Sequence, residues 1–238
     1  MSLAVSRSWS LLDFILIWLG GLVGTGIFFA AGVAFADENW TIVLSVAGQY
    51  IGNLGVFWML TRYKPIGEIG LAIFPRDLVY IVAGLGLQIA LAIVLLPLSE
   101  LLFPEGRPQQ EVADMIANAD TMLLRVVLVA AAVVLGPVTE ELMYRGILLK
   151  ALERWGKVLA LLLSSLVFAA AHLTGLDLDD FWRSAAVFLP PLFVLGLILA
   201  RLTQKTGRLG PAIFLHSGWN LLSAFVLLLP VDVLEQVG

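Results

Sequence analysis

The sequence contains no cysteine, which removes disulfide bonds, thiolate metal sites, iron–sulfur clusters and cysteine nucleophiles from consideration. Charged residues are also scarce: they make up 13% of the chain, about half the share found in soluble domains. Histidine occurs only twice, whereas 60% of the residues are hydrophobic. This composition predicts a membrane protein rather than a soluble domain.

The hydrophobic residues form long runs, and several reach the roughly 20 residues that an α-helix needs to cross a bilayer. A transmembrane β-barrel would instead show short alternating segments. We therefore predict an all-α, polytopic transmembrane bundle of about seven spans, over residues 10–35, 41–61, 78–103, 121–149, 156–173, 184–203 and 209–230. We expect the fourth span to be broken or kinked at Gly136-Pro137, and the sixth to be kinked at Pro190-Pro191.

The charge of the connecting segments alternates along the chain, and basic residues mark the cytoplasmic side of a membrane protein. Basic residues precede the first span and occupy every second loop: Arg7, Arg62, Lys64, Arg76, Lys150, Arg154, Lys157, Arg201, Lys205 and Arg208. The other connections carry Asp37, Glu38, Glu105, Glu111, Asp114, Asp120, Asp177, Asp179, Asp180, Asp232 and Glu235. This alternation predicts a cytoplasmic N-terminus, an external C-terminus and an odd number of spans.

The first apolar run has an alternative interpretation as a signal peptide cleaved after Ala36. Its length of about 25 residues exceeds the 7–15 apolar residues of such a peptide, so we predict an uncleaved first helix. The glycines in this run are typical of a surface on which two helices pack closely: Gly20, Gly21, Gly24, Gly26 and Gly32.

A few ionisable residues interrupt the apolar spans. Glu140, Glu141 and Arg145 lie within the fourth span, His172 ends the fifth, and His216 lies in the seventh. Ionisable groups inside membrane spans are costly and usually serve a function. Because both histidines of the chain fall in these spans, we interpret the groups as one site rather than as separate contacts between helices.

Helical spacing separates the two adjacent glutamates. Glu141 stands four residues before Arg145, so the two side chains share a face and can pair. Glu140 lies about 100° around the helix and is left free to act as a general base. The alternative is that both carboxylates pair with Arg145 and only hold helices together.

The remaining polar groups show the same four-residue spacing. His216 and Asn220 share one helix face, and so do Phe168 and His172, which suggests that Phe168 shields the site from water. A carboxylate, two imidazoles and an amide donor on three helices can activate a water and hold an oxyanion. Peptide hydrolysis requires both of these actions.

Three short motifs then carry a family resemblance. The segment EELMYRG resembles the EExxxR motif of the CPBP family, the CAAX protease and bacteriocin-processing enzymes, also called Abi proteins. FAAAH and HSGWN are similar to that family's FxxxH and HxxxN motifs, and the three occur in the family's order. The resemblance spans residues 121–230, the predicted protease core, and leaves 1–120 as N-terminal transmembrane helices without a recognised motif. It implies an all-helical intramembrane endopeptidase, and eukaryotic members remove the last three residues of prenylated CAAX proteins.

The resemblance also implies a role for each residue of the site. Glu140 would activate the hydrolytic water with the assistance of His172, and His216 and Asn220 would stabilise the oxyanion. The residues expected to support the site are Glu141, Arg145 and Phe168.

A metal ion is the open point of this interpretation. Zinc accepts imidazole and carboxylate ligands, and the candidate ligands here would be Glu140, His172 and His216. Their spacing is not HExxH, and they would have to converge from three helices. Because glutamate and histidine can activate water without a metal, we favour a metal-independent site and keep a divalent metal such as zinc as the alternative.

Two other classes of function compete with a protease. One is a non-catalytic membrane immunity or scaffold protein. The other is a proton-coupled transporter that uses Glu140 and the histidines as a relay, which a broken fourth span would suit although the chain shows no inverted repeat. We expect a peptide or membrane-protein substrate and the lipid bilayer as partners, no nucleic acid, and a multi-pass location in a bacterial or archaeal plasma membrane.

Overall fold

The computed structural model describes residues 8–104, 116, 119, 121–175 and 181–228. These residues form seven long helices and no strand, which confirms the all-α prediction for this part of the chain. We name the helices α1 (Leu11–Phe35), α2 (Glu38–Thr61), α3 (Val79–Leu102), α4 (Met122–Trp155), α5 (Lys157–Ala171), α6 (Phe181–Thr206) and α7 (Gly210–Leu228). The loop charges outside the described residues are Arg7, Glu105, Glu111, Asp114, Asp120, Asp177, Asp179, Asp180, Asp232 and Glu235.

Within the described ranges, five helices are long and apolar enough to cross a membrane, namely α1, α2, α3 (with its preceding turn from Pro75), α4 and α6. Large apolar side chains such as Val82 and Val94 are exposed along α3, as on a helix that faces lipid. The chain is therefore an integral membrane protein. Helix α5 is apolar but has 15 residues, so the count of seven spans stays a prediction. The orientation of the bundle also stays a prediction, and the C-terminus lies outside the described residues.

Helices α1 and α2 pack as a tight hairpin because glycine lets their backbones touch. A Cβ atom at Gly24 would collide with the carbonyl oxygen of Gly48, and one at Gly52 would collide with that of Gly20. Only a residue without a side chain permits this approach, and small residues of this kind are enriched where membrane helices meet. The predicted packing surface of the first helix is thus present, except that Gly26 was wrongly included: a Cβ atom there would have no neighbour within 4 Å.

Helix α4 is continuous, so the fourth span is not broken at Gly136-Pro137, and the alternative expectation of a kink there stays a prediction. The helix instead widens into π-helical turns on both sides of the proline, over Ala131–Leu135 and Glu141–Leu149. Such turns commonly occur at functional sites and accommodate a residue that disturbs the α-helical pattern. Helix α6 likewise continues through Pro190 and Pro191.

Two ion pairs hold connecting segments near the helix ends. Lys64, which follows α2, lies 2.8 Å from Asp13 in the first turn of α1. Arg208, between α6 and α7, makes two hydrogen bonds to the carboxylate of Asp77, and the one from Nη2 to Oδ1 is 2.8 Å long. The first pair fixes the end of α2 against the start of α1, and the second joins the N-terminal half of the chain to the segment before α7.

Candidate active site

A fully buried ion pair lies at the centre of the bundle. Arg145 Nη1 donates to Glu141 Oε1 at 2.9 Å, and neither side chain is exposed. Arg145 Nη2 donates to the carbonyl oxygen of Gly196 on α6 at 3.3 Å, and the guanidinium lies 4.2 Å from the centre of the Phe168 ring. The pairing expected from the four-residue spacing is present, and it holds α4 against α5 and α6.

His216 binds the same carboxylate oxygen from α7. Its Nδ1 lies 2.9 Å from Glu141 Oε1, and its Nε2 lies 3.9 Å from Glu140 Oε2. The imidazole is therefore held between the two adjacent glutamates. Spacing along the sequence did not reveal the contact with Glu141, because it joins residues 75 positions apart.

The two glutamates differ in their surroundings. The side chain of Glu141 is fully buried and shared by a guanidinium and an imidazole. The side chain of Glu140 is 29% exposed, and its Oε2 accepts no hydrogen bond from any described residue. One carboxylate is thus engaged by two cationic or polar side chains, whereas the other is partly exposed and is not hydrogen-bonded by a described residue.

His172 lies just after the last residue of α5. Its Nδ1 is 2.9 Å from the carbonyl oxygen of Phe168, which can only accept a hydrogen bond. The proton of the neutral ring is therefore on Nδ1, and Nε2 is left as an acceptor. Among the described residues, no hydrogen bond or ion pair connects His172 to Glu140.

The ring of Phe168 packs against both imidazole rings. Its ring centre lies 4.9 Å from that of His172 and 5.6 Å from that of His216, and the side chain is fully buried. Tyr144 packs against Phe168 from α4 at 5.3 Å. The phenyl ring therefore packs against both imidazoles and Tyr144, and its role in shielding the site from water stays a prediction.

Asn220 contacts the backbone of α4 rather than a charged group. Its Nδ2 donates to the carbonyl oxygen of Ala132 at 2.8 Å. In the π-helical turn, that carbonyl would accept a hydrogen bond from residue 137, but Pro137 has no N–H. The side chain of Asn220 supplies the missing donor, and its second amide hydrogen is still free to bind another acceptor.

Sequence reasoning missed one polar group near the site, the hydroxyl of Tyr50 on α2. If Gly136 carried a Cβ atom, that atom would lie 3.2 Å from Tyr50 Oη and 3.7 Å from Glu140 Oε1. Tyr50 belongs to the half of the chain that has no motif. The sequence feature that could have indicated Tyr50 is a cluster of polar residues inside an apolar run, namely Gln49, Tyr50 and Asn53.

The proposed metal ligands do not form a metal-binding group in this arrangement. Within the described ranges, no three His, Cys, Asp or Glu side chains come together in a way that could hold a metal ion. His216 directs its Nδ1 to Glu141, and Phe168 contacts both imidazole rings. Glu140, His172 and His216 therefore do not stand as a ready-made ligand group in the described part of the chain, and a metal-independent site stays a prediction.

An apolar cavity of about 270 Å³ opens between α1, α4 and α5. Its lining includes Phe14, Trp18, Tyr144, Val167 and Ala171. Tyr144 is part of this wall and also touches Phe168, so the cavity lies one aromatic ring away from the polar site. An apolar chain bound here would be close to the two histidines.

Residues 122–222 match the family described as type II CAAX prenyl endopeptidase Rce1-like. No curated protein and no solved structure matches the chain. The matched range covers α4, α5, α6 and most of α7, and it contains every residue that the sequence predicted for the site. Helices α1 to α3 lie outside it.

Proposed function

Residues 122–222 form a domain of the Rce1-like family, a family of peptidases, and from this premise we propose that the chain is an intramembrane endopeptidase whose nucleophile is a water activated by Glu140. The observation that carries the proposal is the contrast between the two glutamates. Glu141 is fully buried and its Oε1 lies 2.9 Å from both Arg145 and His216, whereas Glu140 is partly exposed and makes no hydrogen bond to a described residue. A general base needs such an available carboxylate.

Hydrolysis then proceeds in two steps. Glu140 takes a proton from the water while the water oxygen bonds to the carbonyl carbon, and the carbonyl electron pair moves to its oxygen. The tetrahedral intermediate collapses when the carbon–nitrogen bond breaks, and Glu140 passes its proton to the leaving nitrogen. His172 assists through Nε2, which accepts a hydrogen bond from the water because Nδ1 donates to the Phe168 carbonyl.

The oxyanion is held by donors on α7. His216 acts as an imidazolium: Nδ1 donates to Glu141, and Nε2 donates to the oxyanion. In this state, the charges of Glu140 and Glu141 are balanced by those of Arg145 and His216, so the enclosed site is neutral. Asn220 offers the oxyanion the amide hydrogen that Ala132 does not use.

The substrate is a peptide or membrane protein that reaches the site from the bilayer. The apolar cavity beside Tyr144 accommodates a hydrophobic side chain or lipid chain of that substrate.

We place the enzyme in a bacterial or archaeal plasma membrane with a cytoplasmic N-terminus, as the alternation of loop charge favours. A C-terminal reporter that is active only in the cytoplasm should therefore be silent, and a bright signal would contradict this topology.

The direct test uses purified protein in liposomes with internally quenched peptides that end in a CAAX sequence, one farnesylated and one not. The wild type should cleave at least one peptide, and Glu140→Gln should cleave neither. In membranes of producing cells, full-length substrates should accumulate with Glu140→Gln relative to wild type. Absence of cleavage by the wild type, or equal cleavage by the variant, would overturn the proposal.

No observation in the described part of the structure favours either of the two competing functions. A transporter was favoured by the expected break in the fourth span, but α4 is continuous from Met122 to Trp155. An immunity or scaffold protein does not require an unpaired carboxylate beside a histidine inside the bundle. Cleavage of either peptide excludes the non-catalytic class.

A further inference from the structure

Glycine at position 136 leaves a small space between two oxygen atoms from different helices. The point where a Cβ atom would stand lies 3.2 Å from Tyr50 Oη and 3.7 Å from Glu140 Oε1. Helix α2 packs directly on the segment Gly136–Glu140, so the two oxygens belong to contacting elements. The space is bounded by the phenol hydroxyl, by the carbonyl oxygen of Ala131 at 3.4 Å from the same point, and by the proposed general base.

The two oxygens of the Glu140 carboxylate therefore have different neighbours. Oε2 is directed to His216, whose Nε2 lies 3.9 Å away. Oε1 faces the space beside Gly136, across from Tyr50. Tyr50 makes no hydrogen bond to any other described residue, so its hydroxyl is available to a molecule in that space.

We propose that Tyr50 is a positioning residue, which holds the hydrolytic water against Glu140 in the space beside Gly136. This inference rests on the proposed peptidase function. The water donates one hydrogen to Glu140 Oε1 and the other to His172 Nε2, and the Tyr50 hydroxyl donates to one of its lone pairs. The second lone pair is left to attack the scissile carbonyl carbon.

The chemical consequence is a fixed direction of attack. A water held by Glu140 and His172 can still tilt about the line that joins these two acceptors, whereas a third hydrogen bond from Tyr50 fixes the direction of its free lone pair. Orienting a reactant in this way is worth a large factor in rate, and small misplacements can cost about a hundredfold. Through Tyr50, the N-terminal half of the chain takes part in the reaction, although it lies outside the matched family range.

The first experiment compares Tyr50→Phe with Tyr80→Phe in the liposome assay with the same two peptides. Phenylalanine keeps the ring and removes only the hydroxyl. Tyr80 is a matched control because it is also half-buried but lies near the start of α3, beside the Asp77 pair. We expect kcat of Tyr50→Phe to fall about ten- to a hundredfold with KM little changed, and Tyr80→Phe to match the wild type.

A second experiment separates a held water from simple packing. Gly136→Ala places a methyl group in the space and should also lower kcat. If the methyl only collides with the tyrosine hydroxyl, Tyr50→Phe will restore the activity of Gly136→Ala. If the space holds the water, the double variant will be about as slow as the slower single variant, because both changes remove the same interaction.

The outcomes distinguish the inference from the function on which it rests. If Glu140→Gln is inactive while Tyr50→Phe equals the wild type, the role of Tyr50 is wrong and the peptidase function stands. Rescue of Gly136→Ala by Tyr50→Phe also overturns the inference. If the wild type cleaves neither peptide, the proposed function fails and the inference fails with it. Melting temperatures of all variants show whether a loss of kcat reflects unfolding.

Discussion

The ion pairs at the helix ends and the ion pair inside the bundle differ in what surrounds them. Asp77 and Arg208 meet between connecting segments, where the arginine side chain is 17% exposed. Glu141 and Arg145 meet in the middle of α4 with no exposure, beside a second carboxylate whose Oε2 accepts no hydrogen bond from a described residue. Burying charges costs more than their attraction returns in many proteins, so stability alone does not account for the inner group. The ion pairs at the helix ends, which we call the outer pairs, hold connecting segments in place. The buried ion pair and its neighbouring carboxylate, which we call the inner group, are what a catalytic site would need.

The largest effect should come from the free carboxylate. Glu140→Gln keeps the size of the side chain but removes its ability to take a proton from water, so cleavage should be abolished. The melting temperature should stay near that of the wild type, because Glu140 Oε2 has no described hydrogen-bond partner to lose. Peptide cleavage and thermal melting of the purified variant test both statements.

The paired carboxylate should behave in the opposite way. Glu141→Gln leaves Arg145 and His216 without their shared counter-charge, and breaking a buried pair typically costs about 3–5 kcal/mol. We expect a lowered melting temperature or poor membrane yield, and Arg145→Ala should resemble Glu141→Gln. If Glu140→Gln unfolds the protein while Glu141→Gln is stable and inactive, the two roles are reversed.

A smaller effect is expected at the outer pair. Asp77→Asn removes the charge that holds Arg208, but the partly exposed arginine can turn toward solvent or lipid headgroups. Hydrogen bonds to charged groups contribute about 1.5–3 kcal/mol, so the loss of stability should be smaller than for Glu141→Gln. Cleavage by the folded variant should be unchanged. An equal destabilisation of the two variants would remove the distinction between inner and outer pairs.

The smallest effect concerns metal. Because the described residues contain no group arranged to hold a metal ion, we expect kcat to be unchanged after dialysis against a chelator and removal of bound metal. Metal content should be measured on the same sample. Loss of activity that zinc alone restores would contradict the metal-independent mechanism and require the side chains to rearrange.

The sequence predicted those features that depend on short-range periodicity. Long apolar runs gave the positions of the helices, and the spacing of four residues gave the pair of Glu141 with Arg145. It did not predict that His216 binds Glu141, because that contact depends on the rotation of α7 relative to α4. It also missed Tyr50, since packing of α2 on the segment Gly136–Glu140 follows from the tertiary arrangement.

The expected break in the fourth span shows a different limit. Proline removes one backbone donor, and sequence rules translate that loss into a kink. In the structure, the helix widens into a π-helical turn that makes room for the proline ring, and Asn220 supplies the missing hydrogen-bond donor from another helix. A rule for a single helix cannot anticipate a donor that arrives from a neighbour 88 residues away.

The bond from Asn220 to Ala132 has a consequence for genetics. Loss of the amide removes the oxyanion donor and also the partner of a carbonyl that Pro137 cannot serve. A second-site change at position 137 that restores a backbone N–H can correct the second loss but not the first. Suppressors of Asn220→Ala selected for protein abundance should therefore include changes at Pro137, whereas suppressors selected for cleavage should not.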